Sequence, residues 1–182
     1  MDEIKRIDRK LRYSGAIVDM YTDYMQMPDG KVAEWDYIAH RMGAAAVVPV
    51  LDNGNILMVK QYRNAIGRYT LEIPAGSRDS TDEPTQVCAA RELEEETGYK
   101  AGSLELLIKV ATTVAFCNEQ IDVYVARDLK PAKQHLDEDE FVDVCECTID
   151  ELTDKILAGE IQDSKTLGAL LAYKEKYIHA DA

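Results

Sequence analysis

Residues 44–51 are almost uninterruptedly apolar, and the turn Asp52-Asn53-Gly54-Asn55 hands the chain to a second strand at 56–61. A strand without a polar side needs cover on both faces, so the pair predicts a hairpin at the centre of a sheet, its first arm fully buried. The rest of the chain supplies the cover. Residues 12–40 read as extended segments or hairpins around the turn Pro28-Asp29-Gly30, and a short strand at 69–73 stops at Pro74. A polar loop then leads into a helix whose limits are marked by Pro84 in its first turn and Gly98 at its C-terminal cap. Strands follow at 104–111 and 121–126, separated by a loop around Phe116-Cys117-Asn118-Glu119. After the acidic loop 137–140 come a last strand at 141–147, a helix with a Thr148/Glu151 capping box ending near Gly159, and an amphipathic helix from Asp163 or Ser164 to Tyr177. This order predicts an α/β fold in which a mixed β-sheet is sandwiched between helices (α/β/α). An antiparallel strand region over 1–42, available for dimerisation or substrate contact, would precede a main domain over 43–182.

Composition narrows the function. At 182 residues the chain suits one domain, and its 34 acidic against 21 basic residues repel a nucleic-acid backbone, so no duplex partner is expected. The charged stretch 1–10 lacks the apolar centre of a signal peptide, and no run approaches the roughly 18 apolar residues of a membrane span. A soluble, cytoplasmic protein is expected. Cys88, Cys117, Cys145 and Cys147 form no paired zinc-binding pattern and read as packing thiols.

The predicted helix carries Arg91-Glu92-Leu93-Glu94-Glu95-Glu96-Thr97-Gly98. Each helical residue advances about 100°, so Glu92, Glu95 and Glu96 share one face while Glu94 points elsewhere. Like charges at these spacings repel, and an arbitrary run of this kind is usually a solvated acidic surface. Here a strand, the turn Pro74-Ala75-Gly76 and a polar loop precede it, delivering backbone carbonyls and Glu83 towards the same helix. Hard oxygen donors gathered this way suit magnesium, with manganese as an alternative, and such an ion also binds phosphate oxygens.

Gly76, Glu83 and the segment from Arg91 to Gly98 and Tyr99 together resemble the box of the Nudix family, G-x5-E-x7-R-E-U-x-E-E-x-G-U. Six residues rather than five separate Gly76 from Glu83, which puts Asp82 in the strict acidic position; the seven-residue spacing from Glu83 to Arg91 favours Glu83. The resemblance implies a Nudix fold in which Glu92 and Glu96 bind metal and the Ala75 carbonyl completes the site. Glu95 would assist as a ligand or through water, and Arg91 would orient the glutamates.

Similarity to the ADP-ribose pyrophosphatase branch extends over about 13–177. It rests on Val59-Lys60-Gln61-Tyr62-Arg63, on Leu71-Glu72-Ile73-Pro74-Ala75-Gly76 and on the segment from Gly159 to Thr166. It implies that Arg63 and Glu72 contact a nucleotide sugar, although from sequence Arg63 could be a surface residue and Glu72 could face solvent. It also implies a mobile catalytic glutamate before the last strand, matching Glu140 with Glu138 as competitor. Trp35, read alone, is core or interface packing; the resemblance implies a homodimer in which such an aromatic residue stacks on the partner's adenine. Glu119 and Asn118 resemble the end of a substrate loop, but Val114-Ala115 stand where the branch carries a proline, which leaves GDP-mannose open beside ADP-ribose. The function expected is hydrolysis of ADP-ribose to AMP and ribose 5-phosphate; the rivals are another nucleotide sugar or a sensor that binds without hydrolysing.

Overall fold

The computed structural model describes residues 3–136 and 140–179. Three antiparallel strands come first, β1 (Lys5–Ser14), β2 (Val18–Gln26) and β3 (Val32–His40), and they pair in the order β1-β2-β3. This sheet is largely exposed. Arg9 ties it together, donating to both carboxylate oxygens of Asp23 at 2.5 and 2.6 Å while its guanidinium lies 3.8 Å from the ring centre of Tyr37.

The main body is built on β4 (Ala44–Pro49) and β5 (Ile56–Arg63), followed by a 3₁₀ turn at Asn64–Ile66, β6 (Arg68–Glu72), β7 (Ala75–Ser77) and helix α1 (Thr85–Thr97). Strands β8 (Tyr99–Lys100), β9 (Ser103–Ala111), β10 (Gln120–Arg127), β11 (Lys130–Pro131) and β12 (Asp143–Cys147) come next, then helices α2 (Ile149–Leu157) and α3 (Ser164–Tyr177). One sheet runs β7-β4-β10-β9, with β4 parallel to β10 and the other pairs antiparallel; a second runs β12-β5-β6, and β8 pairs with β11.

The expected hairpin at 44–61 forms only at its turn. Leu51 N–H donates to Asn55 O at 2.9 Å and Val50 bridges Ile56, but the arms then diverge into different sheets. The reason is that both edges of each strand are already taken: β4 lies between β7 and β10, and β5 between β12 and β6. Neither has a free edge for the other.

Every residue of β4 is buried, and its side chains alternate between two cores. Ala44, Ala46 and Val48 face a cluster with Val123, Leu170 and Tyr173, on the side of α3; Ala45 and Val47 face Cys88, Ala89 and Leu93 of α1. This alternation is what sandwiches the mixed sheet between helices, as expected. Thr148 caps α2 with the predicted capping box, and Gly98 closes α1 with a φ of 72°. Beyond that cap, residues 132–135 satisfy the helix's last carbonyls: Ala132 N–H donates to Gly98 O at 2.7 Å, Gln134 Nε2 to Glu96 O at 2.6 Å and His135 N–H to Glu95 O at 3.1 Å. The short strands β7, β8 and β11 carry no periodic signal and were not expected. No helix of the described residues is long and apolar enough to cross a membrane.

Candidate active site

Strand β7 packs against α1, and Gly76 is a point of close approach between them. A Cβ at Gly76 would overlap the Glu92 carboxylate, so only a glycine lets that side chain lie against the strand. One turn on, Glu96 accepts a hydrogen bond from Ala75 N–H at 3.0 Å. Arg91 gathers the rest: its Nη1 donates to Glu92 and Glu95, both at 2.8 Å, its Nη2 donates to Ser77 O at 2.9 Å, and its Nε lies 3.4 Å from Glu83. Glu83 also accepts from Asp79 N–H at 2.8 Å, whereas Asp82 is exposed, so the six-residue loop delivers Glu83 to the arginine. Glu94 points away and pairs with Lys100 at 3.1 Å.

Glu92 and Glu96 are buried, and Arg91 alone does not neutralise the set. Burial, together with the mutual repulsion of neighbouring carboxylates, pushes Glu96 up to about 8; burial pushes Glu92 up to about 7 against the pull of Arg91. The charge of Glu140 reaches both. Glu138 lies outside the described residues. Among the described residues no three such side chains form a preassembled metal cage, because Arg91 draws Glu92 and Glu95 to itself. The donor chemistry nonetheless fits a divalent cation: hard oxygens, an uncompensated negative charge and little exposure.

A cavity of about 670 Å³ is lined in part by Ala75, Gly76 and Ser77 of β7. The lining also includes one bonded group, Arg63, Thr70, Glu72, Asp163 and Lys165, and another, His40, Thr112 and Glu119, together with Ile17. Glu72 does not face solvent. It is 1% exposed, and it accepts from Arg63 Nε and Nη2 at 2.8 and 2.6 Å, from Thr70 Oγ1 at 2.6 Å and from Lys165 Nζ at 2.5 Å. Burial works against its charge, but these donors outweigh it and hold the carboxyl at about 2. Lys165 also donates to Asp163 at 2.9 Å, which caps α3 by accepting from Thr166 N–H at 3.0 Å. Arg63 is consequently clamped by two of its nitrogens, with its side chain 40% exposed at the cavity.

A family model described as the NUDIX domain matches residues 40–169, which span the box helix, the cavity-lining residues other than Ile17 and the start of α3. The chain belongs to the Nudix family. This Nudix chain is 39% identical over 170 residues to the ADP-ribose pyrophosphatase of Bacillus subtilis (strain 168), covering 92% of this chain and 91% of the relative. It is 41% identical over 170 residues to the methanol dehydrogenase activator of Bacillus methanolicus, with the same coverage. A solved structure of an ADP compounds hydrolase superposes with a TM-score of 0.88, covering 100% of this chain and 97% of that one, at 18% identity, which shows a common fold.

Of the residues expected in the Nudix site, the structure brings Ala75, Arg91, Glu92, Glu95 and Glu96 into one cluster, and Arg63, Glu72 and Glu119 into the adjoining cavity. Trp35 is 46% exposed on β3, opposite Asp23, and does not line this chain's cavity. Sequence reasoning did not single out Lys165, Asp163, His40 or Thr112. Asp163 had a signal as a helix cap, and Lys165 lay within the segment from Gly159 to Thr166 without being given a role; His40 had no signal, because Glu119 is remote from it in the chain.

Proposed function

We propose that this Nudix pyrophosphohydrolase acts on ADP-ribose, yielding AMP and ribose 5-phosphate. The observation that carries the reading is adjacency: the buried glutamates of α1 lie against Ala75 and Gly76, which line the same cavity as the clamped guanidinium of Arg63. Relatives named for ADP-ribose, at 39% and 35% identity over most of the chain, support the substrate class. Magnesium, or manganese in its place, would be held by Glu92, Glu95, Glu96 and the Ala75 carbonyl, supplying Lewis acidity to the diphosphate and a lowered pKa to water.

The chain's own residues do the rest. Arg63 offers its remaining guanidinium nitrogen to a diphosphate oxygen, held in direction by Glu72. Arg91 keeps Glu92 and Glu95 on one side of the helix. Glu140, or Glu138, takes the proton as water adds to phosphorus and the bond to the departing phosphate oxygen breaks. The single experiment is product-resolved turnover of ADP-ribose, GDP-mannose and ADP-glucose with magnesium. AMP and ribose 5-phosphate formed fastest from ADP-ribose support the reading; preference for GDP-mannose overturns it.

We further propose a cytoplasmic homodimer. Ile7, Leu11, Tyr13 and Trp35 are all exposed on the N-terminal sheet, which supports a partner there. Sedimentation of a single monomeric species at micromolar concentration would overturn that. A second reading follows from the 41% identical relative named as an activator of methanol dehydrogenase: this chain would then raise the rate of an alcohol dehydrogenase. A coupled assay with and without the chain decides it.

A further inference from the structure

Cys145 and Cys147 have no part in the chemistry just described, and neither lines the cavity. Both belong to β12, where alternate side chains point to the same face, so the two thiols stand side by side. Their register partners on β5, Met58 and Ile56, belong to the core shared with α2 and α3, which identifies that face. Cys147 packs at the rim of this core, whereas Cys145 is exposed. Among the described residues β12 pairs with β5 alone, so the thiols can be approached from the open edge of the sheet.

The packing role expected of the cysteines fits Cys88, which is fully buried, and fails at Cys145. Free cysteine is among the most buried residue types, and where packing does not explain one, its reactivity is the place to look. The spacing decides which reaction is open to this pair. Two positions along a strand lie about 6.4 to 6.8 Å apart, whereas a disulfide draws its Cβ atoms to within about 3.5 to 4.5 Å. A regular strand therefore disfavours the disulfide. A metal ion makes a longer bridge: two metal–sulfur bonds of about 2.3 Å let the sulfurs stand as far as about 4.6 Å apart without bending the strand.

Thiolate sulfur selects soft ions, chiefly Cu(I), zinc and the iron of iron–sulfur clusters. Structural zinc asks for four protein ligands and an iron–sulfur cluster for a set of four cysteines. Among the described residues no such larger set of histidine, cysteine and carboxylate side chains forms. Cu(I), which is satisfied by two thiolates in line, remains. Two thiolates around a monovalent ion leave one negative charge, and the Lys155 ammonium on α2 is near enough to favour the Cys147 thiolate. Glu151 acts on Cys147 in the opposite sense, but its carboxylate is already engaged by the N–H and hydroxyl of Thr148 at 2.8 and 3.0 Å. Burial, and then the neighbouring Cys145, push the Cys147 thiol up to about 11, so an ion bound there displaces a proton.

We propose that Cys145 and Cys147 form a two-thiolate site for a soft monovalent metal ion, Cu(I), apart from the site that binds the diphosphate. Each sulfur makes one bond to the ion and releases its proton to solvent.

The test titrates the reduced full chain with Cu(I) without oxygen, in competition with a chromogenic Cu(I) chelator. One ion binds per chain, with a thiolate-to-copper absorption in the near ultraviolet. Cys145→Ser and Cys147→Ser each weaken binding by about a hundredfold or more, beyond what loss of a group that merely supports a ligand costs. Cys117→Ser binds as the parent does, and zinc at equal concentration displaces no copper. Thermal melting checks folding; if Cys147→Ser fails to fold, Cys145→Ser, which alters an exposed side chain, decides alone. Undiminished binding in Cys145→Ser overturns the site. So does displacement by zinc, or one ion per two chains, which would mean four thiolates shared between copies.

Discussion

Gly76 and Glu92 share one small volume, the glycine on β7 leaving open the space that the carboxylate on α1 occupies. The seat of Glu92 thus depends on a missing methyl group as much as on its bond to Arg91. Gly76→Ala must displace either the strand or the carboxylate, and overpacking of this kind costs about 1 to 3 kcal/mol. The expected outcome is a large fall in kcat with a modest loss of stability, read from turnover and urea melts. Turnover that survives the extra methyl would show that Glu92 can sit elsewhere.

Glu72 sets an acid limit on stability. Its carboxyl is held at about 2 in the folded chain, below the ordinary value of 4.5, so its contribution is fully present above pH 4.5 and is lost as pH falls towards 2. Against Glu72→Gln, the unaltered chain should be more stable at pH 7, by on the order of 2 to 3 kcal/mol, with the gap narrowing below pH 4. Denaturant midpoints at pH 7, 5 and 3 check this; a gap independent of pH would point to packing instead.

The opposite sign holds at Glu96. Its folded carboxyl sits at about 8, above its unfolded value, so in the metal-free chain it lowers stability progressively as pH rises from 4.5 through 8. Glu96→Gln in chelator should therefore melt higher than the parent at pH 8, with little difference at pH 4.5, while losing most turnover when magnesium is supplied. A variant less stable than the parent at pH 8 would mean that Ala75 N–H needs a charged acceptor.

Thr166 is fully buried, and its hydroxyl accepts Ile73 N–H at 3.1 Å, joining the end of β6 to the start of α3. Thr166→Val keeps the shape and orphans that donor, at a cost of about 1 to 3 kcal/mol. Because Glu72 and Lys165 flank this bond, KM for ADP-ribose should rise as well. Stability lost without any change in KM would separate the staple from the cavity.

Much of this was legible in the sequence because it is local. The glutamate spacing along α1 determines which carboxylates share a face, and Gly98 and the Thr148/Glu151 pair mark helix ends through bonds that span only a few residues. What was not legible depends on meetings between distant segments. The parting of β4 and β5 is decided by strands β7, β10, β12 and β6 competing for their edges, which no local pattern encodes. Glu72 shows the same limit. Its spacing before Pro74 says nothing of burial, and it takes Lys165, 93 residues away, to make a buried carboxylate tenable.

The bonds from Ile38 N–H to Phe116 O and from His40 N–H to Asn118 Oδ1 make the loop after β9 a rider on the N-terminal sheet. Helix α1 has no share in those bonds. A substitution that tilts the sheet will carry Thr112 and Glu119 with it while the glutamates keep their places. Such a displacement would reshape that part of the cavity while the carboxylate cluster on α1 stays where β7 holds it.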